Sequence, residues 1–220
     1  MKNCIMITGG RVDLFTLQSI IDRHLEDSCI IAVDKGLESC RKLGIIPDIV
    51  VGDFDSANSK VVAYYRKLAK IKTGMQFVNL ETHKDFTDTH VGILHAMEIG
   101  AENIYIVGAT GTRLDHTMAN IGLLKVCCDK GVNAWIEDDH NLITMISEGR
   151  QINRIEGYDY ISFIPYGGVV TGVTLTGFEY NVQDRTFEIA DSLGISNKIV
   201  SDDAQIEMEQ GYMIVNYSTD

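Results

Sequence analysis

The chain has 220 residues, room for one large domain or two small ones. Its 19 Lys and Arg against 31 Asp and Glu give a net charge of −12, which argues against a protein that grips a nucleic-acid backbone through a basic face. With 45% hydrophobic and 23% charged residues it reads as an ordinary ordered chain, and no apolar run approaches the ~20 residues of a membrane span.

The opening run Met1–Gly10 has too short an apolar stretch for a secretory signal and predicts a first strand at Cys4–Thr8. Short β-branched runs then alternate with helical patterns. Further strands are predicted at Cys29–Val33, Ile49–Val51, Phe77–Leu80, Asn103–Val107 and Asn133–Ile136, with Trp135 in the core. Helices are predicted at Val12–Leu25, Leu37–Leu43, Asn58–Ile71, Thr87–Ile99 and Leu114–Lys130. Val61, Tyr65 and Leu68 form the apolar stripe of the third helix, and Leu114, Met118, Ile121 and Leu124 that of the fifth. Apolar strands in strict alternation with helices predict an α/β fold: a mostly parallel, Rossmann-like sheet with helices on both faces.

From about Asn141 the helical periodicity stops. Short runs follow at Leu142–Ser147, Gln151–Ile155, Tyr160–Ile164, Val169–Leu175, Thr186–Ile189, Ile206–Glu209 and Tyr212–Tyr217, separated by glycine and polar turns. They predict a smaller all-β, sandwich-like domain over residues 141–220, behind an α/β domain over 1–140. The second segment carries 4 basic and 12 acidic side chains. The cysteines Cys4, Cys29, Cys40, Cys127 and Cys128 have no Cys-x-x-Cys spacing, and predict buried thiols in a reducing cytoplasm.

Ligands of an open parallel sheet gather at the carboxyl ends of its strands. Four such ends carry polar clusters: Asp34-Lys35-Gly36, Gly52-Asp53-Phe54-Asp55-Ser56, Lys84-Asp85-Phe86-Thr87-Asp88, and Gly108 to His116. Asp53 and Asp55, two residues apart, share a side if the strand stays extended. Converging carboxylates repel unless a cation lies between them, and Mg2+ suits such a set with substrate phosphate. Asx-turn chemistry at Asp53 and a helix-start role for Asp88 are the plainer readings. Gly108 to Asp115 lays a glycine turn onto a helix start, where backbone N–H groups and Arg113 would hold an anion; a tight turn with a surface Arg113–Asp115 pair is the alternative. Neither a Walker A loop, a Gly-x-Gly-x-x-Gly fingerprint nor a Gly-x-Ser-x-Gly elbow occurs. Of the histidines only His116 stands inside a candidate site.

These motifs, in this order and spacing, resemble the thiamine pyrophosphokinases; Gly172 to Tyr180 and Gly194-Ile195-Ser196-Asn197-Lys198 resemble that family's second-domain signatures. The resemblance implies a homodimer that converts ATP and thiamine into AMP and thiamine diphosphate, without nucleic-acid or membrane partners. It implies Mg2+ on Asp53, Asp55 and Asp88, with these and Arg113 as catalytic residues. ATP is implied at Asp34, Lys35, Gly52, Arg113, Asp115, His116 and Asn120. Thiamine is implied at Lys84, Asp85 and Thr87, with Ser196 and Asn197 closing over it from the partner subunit. Bacterial relatives often carry Glu where this chain has His90. Phe178, Tyr180 and Tyr212 are the candidates for the aromatic partner that a second-domain tryptophan supplies in some relatives. A Mg2+-dependent phosphohydrolase and a non-catalytic thiamine- or nucleotide-binding regulator are the rival readings.

Overall fold

The computed structural model describes residues 2–71, 74–81 and 85–220, and the chain divides into two compact units, Met1–Asp139 and His140–Asp220. The first unit runs β1 (Asn3–Ile7), α1 (Leu14–His24), β2 (Ser28–Val33), α2 (Gly36–Leu43), β3 (Ile49–Gly52), α3 (Ser59–Ala69), β4 (Gln76–Asn79), α4 (Asp88–Glu98), β5 (Asn103–Val107), α5 (Leu114–Asp129) and β6 (Asn133–Glu137). Its strands lie in the order β4-β3-β2-β1-β5-β6, and every pairing among them is parallel. From β1 the chain builds outward to β4, then returns to place β5 on the other side of β1. That reversal opens a crevice between the carboxyl ends of β1 and β5.

Alternation along β1 explains the covering of both faces. Ile5 and Ile7 point into a cluster with Leu17, Ile20, Leu37 and Tyr65 from α1, α2 and α3. Met6 points the other way, where Gly92 of α4 comes so close that a Cβ there would lie 3.0 Å from Val33 and 3.3 Å from the Met6 sulfur. Helix starts follow local chemistry: the Asp13 carboxylate accepts the Thr16 N–H at 2.8 Å, and the Asn58 side chain accepts that of Lys60 at 3.0 Å. The predicted stripe of α3 holds, since Val61, Tyr65 and Leu68 all pack on the cluster. That of α5 holds only in its second half: Leu124 is buried and Ile121 half-buried, whereas Leu114 and Met118 are 66% and 68% exposed, and Asn120, Leu123 and Cys127 complete the buried face. Trp135 is only half-buried, stacked on Tyr105, which stacks in turn on His24.

The second unit holds β7 (Asn141–Ile146), β8 (Arg150–Gln151), β9 (Tyr160–Thr176), β10 (Val182–Phe187), β11 (Gln205–Glu207) and β12 (Gln210–Ser218), all paired antiparallel. Over the whole chain the strand set is therefore mixed, and the parallel description belongs to the first unit alone. Two predicted strands, Tyr160–Ile164 and Val169–Leu175, are one 17-residue strand. β12 pairs with its first half through a register break near Gly211, while β10 and β11 pair with its second half. Pro165 lies opposite Met213 of β12, the only strand among the described residues paired with it there, so its missing N–H is tolerated. The predicted Gln151–Ile155 strand is reduced to Arg150–Gln151. Cys4, Cys29, Cys40 and Cys127 are buried free thiols and Cys128 is half-buried. No described helix is long and apolar enough to cross a membrane.

Candidate active site

A cleft of about 530 Å³ occupies the crevice at the carboxyl ends of β1, β2 and β5. One wall comes from Asp34 and Lys35 after β2, Ser56 after β3, and Thr87, Asp88 and Thr89 at the start of α4. The opposite wall is Gly108 to Arg113 after β5, with His116, Thr117 and Asn120 of α5. Thr8 to Arg11, after β1, form the floor between them.

The first wall carries the carboxylates of Asp34 and Asp88. One carboxylate oxygen from each of Asp34, Asp53 and Asp55 lies within 4.8 Å of the other two, although Asp53 and Asp55 are not among the residues that line the cleft. They meet by a route other than strand alternation. β3 ends at Gly52, Phe54 takes a left-handed φ of 63°, and the Asp53 carboxylate accepts the Asp55 N–H at 3.1 Å. The Asx turn and the converging carboxylates are thus the same structure. Gly52 permits it, because a Cβ there would lie 3.3 Å from the Asp34 backbone, which itself holds a φ of 47°. Its place is beneath the cluster. Asp88 stands outside the 4.8 Å group but lines the cleft, and its charge acts on Asp34.

Burial is the main cause that pushes the Asp34 carboxyl above its ordinary range, with the charges of Asp88 and Asp53 adding to it. The Ser56 hydroxyl, donating to Oδ2 at 2.5 Å, opposes this only in part, and the buried Oδ1 has no hydrogen-bond partner among the described residues. An unpartnered buried carboxylate oxygen inside a triad of acids fits a hard divalent cation such as Mg2+. A carboxyl with a raised folded pKa favours folding below its unfolded pKa and loses that contribution as pH rises through the folded value. Asp34→Asn is therefore expected to raise the melting temperature in EDTA at neutral pH and to flatten its decline from acid to neutral pH. An unchanged decline, followed by thermal melts across that range, would contradict the assignment.

The opposite wall is built by close backbone approach. Gly10 N–H donates to Gly108 O at 2.8 Å and Arg11 N–H to Thr110 O at 2.9 Å, joining the loops after β1 and β5. A Cβ on Gly10 would fall 2.3 Å from Gly108 O, so glycine is required there. The buried Asn120 amide donates to Ala109 O at 2.7 Å, making it a prop of this loop. Thr110 donates to Asp138 at 2.8 Å, and Arg11 pairs with Asp139. Arg113 holds Asp115 with two bonds, 3.2 and 2.6 Å, on the surface. That pairing holds the Asp115 carboxyl down at about 2. His116 lies exposed in the first turn of α5.

Thr87 caps α4 by accepting the His90 N–H at 3.3 Å, and the Phe86 and His90 rings meet edge to face at 4.5 Å. Asp85 is exposed; Lys84 lies outside the described residues. In the second unit Asn197 is fully buried. Its side chain accepts the N–H groups of Tyr180 and Lys198, both at 2.9 Å, and donates to Tyr180 O at 2.8 Å. Asn197 is thus a staple and has no exposed group to offer a ligand. Ser196 beside it is exposed, with a φ of 55°. Phe178 is 1% exposed against Phe163, which removes it as a platform, whereas Tyr180 is 57% exposed. The lining residues missed from the sequence are Thr8 to Arg11, Val33, Thr89 and Thr117, and Ser56 stood in a polar cluster without a role. The signal for the first of these was present: Gly9-Gly10 directly follows an apolar strand.

A parallel α/β unit whose switch-point cleft sets carboxylates against glycine turns and a helix start is an arrangement suited to holding the phosphates of a nucleotide. Residues 22–136 match the family described as thiamin pyrophosphokinase, catalytic domain, and residues 150–213 match thiamin pyrophosphokinase, vitamin B1 binding domain. The thiamine pyrophosphokinase of Bacillus subtilis is 32% identical over 222 residues, covering 100% of both chains. The crystal structure of thiamine pyrophosphokinase from Bacillus subtilis superposes with a TM-score of 0.88 at 30% identity over 100% of both chains. That of the Geobacillus thermodenitrificans enzyme gives 0.86 at 28% identity over 100% of this chain and 98% of the other. The chain belongs to the thiamine pyrophosphokinase family.

Proposed function

We propose that this chain transfers the pyrophosphoryl group of ATP to the primary hydroxyl of thiamine, giving thiamine diphosphate and AMP. The observation that carries this reading is the two-walled cleft, acidic on one side and lined by glycine turns and a helix start on the other. ATP lies between the walls, its phosphates near the backbone N–H groups of α5 and the side chains of Lys35, Arg11 and Arg113. The two arginines leave Asp139 and Asp115 to do so. Asp34, Asp53 and Asp55 would hold Mg2+, with Asp88 facing the same phosphates. When bound, the metal supplies neutralising charge for the phosphate oxygens. The chain's own work is positioning: it sets the hydroxyl in line with the β-phosphorus, AMP departs, and the hydroxyl proton passes to a carboxylate of the cleft.

Thiamine enters beside Asp85 and Thr87, the cap that fixes the start of α4. Ser196 closes over it from the partner subunit of a homodimer, with Tyr180 as the exposed aromatic neighbour. Asn197 acts indirectly, fixing Tyr180 and Ser196 side by side. The cytoplasm supplies both substrates. The test is AMP release from ATP and Mg2+ with and without thiamine, on fractions from size exclusion. AMP is expected only when thiamine is present, in fractions of dimer size. Phosphate or pyrophosphate release without thiamine would mean a hydrolase, binding without turnover a regulator, and full activity in a monomer fraction would remove the shared site.

A further inference from the structure

The second unit is strongly acidic, yet its few cations gather at one place. Of its 4 basic side chains, Arg154 and Lys198 line a separate cleft of about 380 Å³, and the charge of Arg150 reaches Tyr217 in its wall. Such clustering within a net-negative unit makes a local positive field where the surroundings repel anions. The walls are aromatic: Tyr158, Tyr160 and Tyr217 line the cleft, with the rings of Tyr158 and Tyr217 6.3 Å apart. Lys198 Nζ stands 5.3 Å over the Tyr160 ring. Neither Arg154 nor Lys198 has a carboxylate partner among the described residues; Arg154 donates to Ile199 O at 2.5 Å, which fixes its position on the rim. The one acid in the lining, Asp159, already accepts the Thr219 hydroxyl at 2.9 Å.

We propose that this cleft is a second ligand site, separate from the carboxylate cleft, for a small molecule that joins a planar ring to an anionic phosphate or carboxylate. The tyrosines take the ring by stacking, and Arg154 and Lys198 take the anion by charge-assisted hydrogen bonds. The volume is at the small end of ligand pockets, enough for one ring and one anionic group. Nothing in this argument depends on the thiamine reading.

The test is an amide NMR titration of the full chain, with the carboxylate cleft saturated by MgATP. The probes are phenyl phosphate and benzoate, with benzyl alcohol as ring alone and inorganic phosphate as anion alone. Shifts are expected at residues 154–161 and 198–200, with either ring anion binding roughly tenfold tighter than ring or anion alone. Response to phenyl phosphate but not benzoate would assign the anion as phosphate, and the reverse as carboxylate. Lys198→Glu should weaken binding about tenfold or more while leaving the melting temperature unchanged, and Lys198→Arg should retain binding. The proposal is overturned if no ring anion shifts these amides at millimolar concentration, or if Lys198→Glu binds as well as the parent.

Discussion

Asp55→Asn is expected to lower turnover by at least ~10²-fold, about 2.7 kcal/mol of transition-state stabilisation. Asp55 is exposed, and one of its carboxylate oxygens lies within 4.8 Å of one each from Asp34 and Asp53. The local turn is held by the Asp55 N–H on the Asp53 carboxylate, a bond that asparagine at 55 preserves. The substitution therefore removes one charge from the carboxylate cluster and keeps the bond that holds the turn. In EDTA the variant should melt level with the parent or slightly higher, because one like-charge contact disappears. Turnover is measured at saturating MgATP and thiamine. A variant within a few-fold of the parent would make the carboxylates structural, and a much lower melt in EDTA would make Asp55 a part of the turn.

The largest effect on stability is expected from Gly36→Ala. Gly36 opens α2 against the end of β1, and a Cβ there would lie 1.9 Å from Ile7 O and 2.6 Å from the carbonyl carbon. Backbone atoms cannot give way as a side-chain tip does, so α2 must move off the sheet. The cost is set at about 3 kcal/mol, the upper part of the overpacking range, and the melting temperature should fall by roughly 10 °C for a unit of this size. The movement also displaces Asp34 and Lys35, weakening ATP binding. Gly44→Ala is the control: its φ of 69° is left-handed, but open space surrounds it. It should cost only the ~1 kcal/mol of the backbone conformation. Equal losses from both substitutions would refute the steric account.

The strand-end clusters were legible because each follows an apolar run in an alternating pattern, and the carboxyl-end rule then collects them at one edge. Gly9-Gly10 was equally exposed to that rule, but a double glycine reads as a turn until β1 is known to be the point where strand order reverses. That Asp53 and Asp55 converge was legible; that Asp34 rather than Asp88 is the third was not. Asp34 joins Asp53 and Asp55 through the left-handed Phe54, and nothing about phenylalanine announces a positive φ. Asn120 and Asn197 came from the resemblance alone; that each is also tied to backbone, Asn120 to Ala109 and Asn197 to Tyr180, is visible only in the fold. Leu114 and Met118 matched a helical stripe, yet periodicity records a face and not whether anything covers it. The glycine turn read at Gly167-Gly168 proved to lie inside one continuous strand, Tyr160–Thr176.

The measurement that bears most directly on the reaction is phosphorus-31 NMR of the turnover mixture with ATP, Mg2+ and thiamine. The β- and γ-phosphorus signals of ATP should disappear together, replaced by the two signals of thiamine diphosphate and one of AMP in equal amounts, with no ADP. ADP with thiamine monophosphate would show that only one phosphoryl group moves. That result would contradict pyrophosphoryl transfer while leaving the cleft a phosphotransferase site.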